Sequence, residues 1–222
     1  AYFNGGGIRS HIESGEITFN DLLTVLPFNN TGVVVEVNGQ TILEMLEAAV
    51  STWPEENGNF PHVSGVTFSV NTLGDENERV YNVKIMNSET GSYEAIGLDR
   101  MYTVASNNFI LLECGDGMSM FENAKILQND GMLDLELLEK YITENLGGVI
   151  GEAYAEVKTN ITFTEGEIID NTEDNPQGDD NKQDTEINSP QTGDNSHFVL
   201  WVLLLSISAT CIVVLEIYRR KK

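Results

Sequence analysis

The stretch Asn4-Gly5-Gly6-Gly7-Ile8-Arg9 decides how the rest of the chain is interpreted. Three successive glycines can adopt positive φ and approach a ligand closely, and consecutive N–H groups in such a loop can form an anion-binding nest. Arg9 is the only basic side chain in residues 1–78, which hold 11 acids, so it is a candidate to hold a phosphate or sugar oxygen. The spacing fits neither a Rossmann fingerprint nor a P-loop. The alternative is an ordinary glycine turn with a surface arginine.

Two further motifs combine aromatic rings with turn residues. Pro27-Phe28 precedes a turn-rich segment, so Phe28 is either a loop-tip ring that stacks on a base or a core residue that seals a helix end. Ser106-Asn107-Asn108-Phe109 ends a predicted strand at an aromatic ring, and Cys114-Gly115-Asp116-Gly117 follows. Asp116 can accept hydrogen bonds from a ribose diol, although Asp-Gly more commonly forms a hairpin turn.

Together these motifs resemble the C-terminal, substrate-binding domain of the 5′-nucleotidase family, which includes bacterial UDP-sugar hydrolases and animal ecto-5′-nucleotidase. The resemblance covers residues 1–163 and depends on the order and spacing of short blocks. The blocks are Asn4–Arg9, Ile17-Thr18 with Asp21, residues 25–31, Val63-Ser64-Gly65, Asn108-Phe109 and Gly115-Asp116-Gly117.

The resemblance implies a fold and a set of substrate-binding residues. The implied fold is α+β, a layered α/β/β/α sandwich joined to an N-terminal metallophosphatase domain. Phe28 and Phe109 are expected to sandwich the base, Asn4 and Arg9 to make polar contacts with the nucleotide, and Asp116 to bind ribose hydroxyls. One departure affects Asp116: seven positions separate it from Phe109 where the family usually has six, and Cys114 replaces a glycine.

The periodicity of the chain predicts the same mixture of helices and strands. Strands are expected at Val33–Val37, Val66–Val70, Val80–Met86 and Tyr102–Ser106. Asn38-Gly39 is expected to form a turn, after which Thr41 opens a helix in a capping box with Glu44. Two more helices are expected, one opened by Thr18 with Asp21 and running through Leu26, and one capped by Asp134 and running to about Asn145.

The last 59 residues differ in composition from residues 1–163. Residues 164–188 hold nine acids and one base, which predicts a disordered acidic spacer. Residues 189–222 contain Ser-Pro-Gln-Thr-Gly, an apolar segment at 198–215 and a basic tail, an order that resembles a sortase sorting signal with cleavage between Thr192 and Gly193. Ser189 stands where such signals usually have Leu, and a plain C-terminal membrane helix is the alternative.

Charge and histidine content limit the function. The formal charge of −23 argues against a nucleic-acid partner. His11, His62 and His197 are isolated, so we expect this chain to bind no metal and to hold no catalytic residue. The two divalent metal ions of the family are then expected in a domain upstream of Ala1, and the chain is expected to be a C-terminal fragment.

These observations lead to one functional hypothesis and one alternative. The hypothesis is the nucleotide-recognition domain of a 5′-nucleotidase that is anchored in the cell wall of a Gram-positive bacterium and hydrolyses extracellular nucleotides. Its partners are the nucleotide, sortase and peptidoglycan. The alternative is a non-catalytic, wall-anchored binding protein such as an adhesin, which needs the same anchor and spacer.

Overall fold

The computed structural model describes residues 1–154 and 160–165. Nearly all of the predicted spacer and the whole of the predicted sorting signal, including Thr192 and Gly193, lie outside these residues. Within the described ranges no helix is both long and apolar enough to cross a membrane. One compact unit contains Ala1–Met86 and the described residues from Tyr93 onward, and the turn Asn87–Ser92 belongs to a second unit.

Nine strands and four α-helices make up the described fold. The strands are β1 (Tyr2–Asn4), β2 (Gly32–Asn38), β3 (Pro61–Val63), β4 (Val66–Asn71), β5 (Val80–Met86), β6 (Tyr93–Ala95), β7 (Met101–Asn107), β8 (Lys125–Gln128) and β9 (Ile161–Thr164). The helices are α1 (Phe19–Val25), α2 (Gly39–Val50), α3 (Asn108–Leu111) and α4 (Asp134–Lys140). The predicted α+β class and all four predicted strands are confirmed. The predicted start of the disordered spacer is wrong, because Thr164 is the last residue of β9 and pairs with Asn71.

The strands form three sheets around a shared apolar core. A three-stranded antiparallel sheet has the order β7-β2-β8, a four-stranded sheet has the order β6-β5-β4-β9, and β1 pairs with β3. In the second sheet β9 is parallel to β4 and the other pairs are antiparallel. Alternate valines of β2 are buried, as the period-2 pattern requires, and the core also contains residues of β4 and the apolar face of α2. The helix α2 contacts both β2 and β5.

The helix α2 begins earlier than the sequence predicts. Asn38 is its N-cap: the Asn38 Oδ1 accepts hydrogen bonds from the Thr41 N–H and the Thr41 hydroxyl, each at 2.9 Å. Glu44 accepts instead from the Gln40 amide at 3.0 Å. The expected Asn38-Gly39 turn and the Thr41–Glu44 capping box are therefore wrong. Asn38 and Thr41 are both good N-caps, and the chain uses the first.

Of the other two predicted helix starts, one is confirmed and one is wrong. The capping box of Thr18 with Asp21 is confirmed, and α1 ends with Leu26 as its C-cap. Asp134 is not a cap but the first helical residue of α4, since the backbone N–H of Leu133 donates to the Glu136 carboxylate at 3.1 Å. Beyond Lys140 the helix continues as a wider turn over Tyr141–Asn145, so its predicted end is confirmed.

A buried carboxylate joins α2 to the start of β5. Glu47 is 8% exposed and accepts hydrogen bonds from the backbone N–H groups of Val80, at 2.8 Å, and Arg79, at 3.1 Å. Burial raises the pKa of Glu47 above its ordinary value of 4.5, although the two N–H donors and the Arg79 charge oppose the shift. The folded state therefore binds this proton more tightly than the unfolded chain does.

Glu47→Gln is expected to destabilise the fold more at pH 5 than at pH 8. Because the folded pKa of Glu47 is raised, the wild-type protein loses stability as the pH rises from about 4.5 through the folded value. Glutamine offers one acceptor oxygen instead of two, and we expect this loss to cost about 1–3 kcal/mol at pH 5. Because glutamine does not titrate while the wild-type protein loses stability as the pH rises, the difference between the two proteins shrinks at higher pH. Urea unfolding at both pH values measures the difference.

Glu44→Gln, on the exposed side of the same helix, is the matched control and should change the unfolding free energy by less than about 0.5 kcal/mol. A Glu47→Gln cost that grows with pH would contradict the assignment.

Candidate functional site

The glycine loop is held by backbone hydrogen bonds to a distant segment. Gly5–Gly7 form a 3₁₀ turn, in which the Gly5 N–H donates to the Phe60 carbonyl at 2.8 Å and the Gly6 N–H to the Gly58 carbonyl at 2.6 Å. None of the three glycines has positive φ. The predicted anion nest is therefore wrong, because two of its N–H groups already have partners. A Cβ on Gly6 would lie 3.1 Å from the Gly58 backbone, so glycine permits close packing of two chain segments.

Asn4 and Asp116 meet although 112 positions separate them. The Asn4 side chain is 5% exposed, and its Nδ2 donates to the Asp116 Oδ2 at 2.8 Å. Cys114 and Asp116 both adopt left-handed φ, at 52° and 54°, which is uncommon for residues other than glycine. The Gly-Asp-Gly segment is a 3₁₀ turn and not a hairpin turn. The hydrogen bond joins the glycine loop to the Asp116 loop.

Arg9 lies against the ring of Phe28. The guanidinium carbon is 5.8 Å from the ring centroid, within the range of a cation–π contact, and the Arg9 Nη1 donates to the Gly6 carbonyl at 3.1 Å. The backbone N–H of Arg9 donates to the Val25 carbonyl at 2.9 Å and so fixes the loop to the end of α1. Phe28 is 54% exposed, so it is a surface ring and not a core residue that seals the helix.

Phe109 is placed by a helical turn and by a glycine. The strand β7 ends at Asn107, one residue beyond its predicted end, and Phe109 is the second residue of α3. Its ring is partly buried against the core. A Cβ on Gly115 would overlap three atoms of the ring, so the glycine next to Asp116 lets the ring edge approach the loop. Phe109 and the Asp116 loop are thus in direct contact.

Sequence reasoning missed two buried residues beside Asn4. Asn107 is 2% exposed, and its Nδ2 lies 3.4 Å from the Asn4 Oδ1. Tyr2 is also 2% exposed and donates its hydroxyl hydrogen to the Asn59 carbonyl at 2.7 Å. Burial, and secondarily the negative charge of Asp116, raises the pKa of Tyr2. The signal for Asn107 was its position before a helical turn, where asparagine is a favoured N-cap.

The comparison with protein families decides the identity. The family model described as the C-terminal domain of 5′-nucleotidase matches residues 1–123. The chain belongs to the 5′-nucleotidase family. The residues that make up the contacts described above, from Asn4 to Asp116, all lie within the matched region.

Two curated relatives agree with the assignment of this chain to the 5′-nucleotidase family. It is 38% identical over 142 residues to the trifunctional nucleotide phosphoesterase protein YfkN of Bacillus subtilis, covering 64% of the chain and 10% of that protein. It is 30% identical over 168 residues to 5′-nucleotidase of Bos taurus, covering 73% of the chain and 28% of the relative. The chain therefore spans less than a third of the length of either relative.

The solved structures confirm the fold of this domain. The 5′-nucleotidase precursor from Thermus thermophilus matches with a TM-score of 0.67 and 32% identity, covering 75% of this chain and 31% of that one. The NAD nucleotidase of Haemophilus influenzae matches with a TM-score of 0.59 and 26% identity, covering 75% of this chain and 30% of that one.

The described residues of the 5′-nucleotidase domain do not fit a two-metal site. In residues 1–154 and 160–165 no three side chains of His, Cys, Asp or Glu cluster to hold a metal ion. His62 lies exposed on β3, and its ring packs edge-on against Phe60 with centroids 6.3 Å apart. Cys114 is a free thiol in the loop before Asp116.

Gly115→Ala is expected to destabilise the domain by about 1–3 kcal/mol, because the new methyl group would overlap the Phe109 ring and force it to move. Urea unfolding gives the free energy, and the aromatic NMR resonances of Phe109 report the displacement of the ring. Gly151→Ala is the control, since among the described residues no atom beyond its chain neighbours lies within 4 Å of its Cβ position. Equal effects of the two substitutions would contradict the proposed packing of Gly115 on Phe109.

Proposed function

We propose that this chain is the nucleotide-recognition domain of a cell-surface 5′-nucleotidase that hydrolyses the phosphate ester of extracellular nucleotides to nucleoside and phosphate. Membership of the family supports the class of substrate. The observation that carries the proposal is the 2.8 Å hydrogen bond between Asn4 and Asp116, which brings the glycine loop beside the Gly-Asp-Gly loop. Polar and aromatic groups suited to phosphate, ribose and base thus belong to connected loops.

Each of these side chains has chemistry that suits one part of a nucleotide. Phe28 offers an exposed ring backed by a guanidinium, and Phe109 offers a second ring, so the two suit stacking on a base. The Asp116 carboxylate can accept hydrogen bonds from both hydroxyls of a ribose. Arg9 is exposed, and its guanidinium donates one hydrogen bond to the Gly6 carbonyl. Its remaining N–H groups can donate to phosphate oxygens.

Hydrolysis itself is assigned to another part of the full-length protein. The chain spans 10% and 28% of two curated phosphoesterase relatives, so those proteins contain additional domains. A metal pair that activates water needs a cluster of ligands such as Asp and His, and the described residues contain no group of three His, Cys, Asp or Glu side chains placed to hold a metal ion. We assign the two divalent metal ions to an N-terminal domain, while the residues of this chain bind and orient the nucleotide.

Attachment to the cell wall is proposed from the sequence of residues 189–222. Ser-Pro-Gln-Thr-Gly, the apolar segment 198–215 and the terminal Arg-Arg-Lys-Lys have the order of a sortase substrate. Sortase would break the peptide bond between Thr192 and Gly193, release the segment that begins at Gly193, and pass the Thr192 carbonyl from its own thiol to an amine of the peptidoglycan. The acidic stretch that follows Thr164, up to residue 188, would then hold the domain away from the wall, because like charges extend a chain.

Phe28→Ala and Phe109→Ala are each expected to lower kcat/KM of the full-length enzyme for AMP by about 5- to 150-fold, because stacking on an aromatic ring is worth about 1–3 kcal/mol per base. Steady-state phosphate release measures the loss. Phe19→Ala is the matched control, since that ring is 55% exposed and lies outside the motifs of the site. Unchanged kinetics in both variants would overturn the site assignment. A full-length protein that releases no phosphate from AMP would instead favour the non-catalytic, adhesin-like alternative.

Thr192→Ala is expected to keep the protein in the membrane fraction of the producing bacterium, because the pentapeptide then lacks the threonine of the sorting signal and is not cleaved. Muramidase digestion followed by sedimentation and immunoblotting separates the two pools. The wild-type protein should be released with soluble wall fragments and the variant should sediment with membranes. A wild-type protein that sediments with membranes would show a permanent membrane anchor instead.

A further inference from the structure

Asn107 occupies a buried position between two elements of the site. It is the N-cap of α3, where its Oδ1 accepts the hydrogen of the Ile110 N–H at 3.0 Å. On its other side its Nδ2 donates to the Asn4 Oδ1 at 3.4 Å. Asn107 and Asn4 are 2% and 5% exposed, so water does not readily replace these partners. The same side chain therefore contacts the helical turn that carries Phe109 and the amide that holds Asp116.

The hydrogen-bonding capacity of each group fixes the direction of this chain of bonds. An ionised carboxylate only accepts, so Asn4 must present its NH2 group to Asp116. The Asn4 carbonyl oxygen then faces Asn107 and needs a donor, which the Asn107 NH2 group supplies. Asn107 can supply it because its own carbonyl oxygen is turned towards the Ile110 N–H. Each amide orientation thus depends on the next.

The Asp116 loop needs this support because its own conformation is unfavourable. Asp116 is exposed and has a left-handed backbone at φ 54°, and Cys114 two positions earlier is left-handed at φ 52°. Non-glycine residues adopt this region at a cost in free energy and keep it when neighbouring structure holds them there. The side-chain bond from buried Asn4 is such a restraint, and its orientation is set from Asn107.

We propose that Asn107 is a positioning residue for nucleotide recognition: it fixes the amide orientation of Asn4 and, through it, the Asp116 carboxylate that receives the ribose hydroxyls. The proposal rests on the nucleotide-binding function proposed above. It assigns Asn107 no contact with the nucleotide. Because Asn107 also caps α3, it fixes the position of the Phe109 ring relative to the Asp116 carboxylate.

Two substitutions separate the cap from the link to Asn4. Asn107→Asp is isosteric and keeps an N-cap acceptor for Ile110, but it places an acceptor oxygen against the Asn4 oxygen. Asn107→Ser also keeps a favoured N-cap but removes the Nδ2 group that donates to Asn4, and the shorter hydroxyl does not take its position. Asn71→Asp is the matched control: Asn71 is buried at 8% exposure, its Oδ1 accepts the Leu73 N–H at 3.1 Å, and it lies on β4 in a different sheet.

Calorimetric titration of the full 222-residue chain tests the ribose contact. The probes are adenosine and uridine with their 2′,3′-dideoxy counterparts, and the measured quantity is the ratio of Kd for the dideoxy nucleoside to Kd for the parent. We expect a ratio well above one for wild type and Asn71→Asp. Asn107→Asp should raise Kd for the parent about tenfold and bring the ratio near one, with a smaller change for Asn107→Ser.

The outcomes distinguish the two proposals. A wild-type ratio above one that Asn107→Asp and Asn107→Ser leave unchanged would overturn the positioning role and leave the nucleotide-binding function intact. A wild-type chain that binds none of the four nucleosides would overturn the proposed function.

A measurement without ligand decides the role of Asn107 in either case. The side-chain NH2 resonances of Asn4 should show slow hydrogen exchange in wild type and in Asn71→Asp. Faster exchange is expected in both Asn107 variants, because the Asn4 amide is then free to turn away from Asp116. Unchanged Asn4 exchange in folded Asn107 variants would contradict the proposal.

Discussion

The bond from the buried Asn4 amide to the Asp116 carboxylate is the constraint on which the site depends. Asn4 ends β1, which pairs with β3 in a small sheet, while Asp116 belongs to a loop that follows α3. Besides this bond, the exposed loop is held by the Phe109 ring packed on Gly115 and by the buried side chain of Met118, which follows the loop. With the bond from Asn4 to Asp116, two residues 112 positions apart are held in fixed relative positions, which would reduce the entropic cost of the proposed nucleotide binding.

The part of the fold set by local sequence could be predicted, and the part set by distant contacts could not. The alternation of Val33, Val35 and Val37 predicts β2, because every second side chain of a half-buried strand faces the core. The predicted start of α2 was wrong because two good N-caps, Asn38 and Thr41, lie close together in the sequence. Only the tertiary structure, in which a Cβ on Gly39 would overlap the Gly97 carbonyl, shows which one the helix uses.

The same distinction applies to the site. The identities of Asn4, Arg9 and Asp116 could be proposed from motifs, because their chemistry suits a nucleotide and their order resembles a family. The role of the glycines could not, since the carbonyls that accept their N–H groups belong to Gly58 and Phe60, in a distant part of the sequence. Glycine spacing alone does not distinguish a loop open to an anion from one packed against another backbone.

The strand β9 has a mechanical consequence under the proposed attachment to the wall. It is the last described strand, so tension on the tether would enter the domain there. Its parallel pairing with β4 orients the backbone hydrogen bonds across the strand, and a pull along β9 loads them together in shear. The Asn160 amide, at 2.8 Å from the Val63 carbonyl, and the Phe163 ring stacked on Trp53 resist the same displacement. Flow at the cell surface would thus strain this sheet edge before the loops around Asn4.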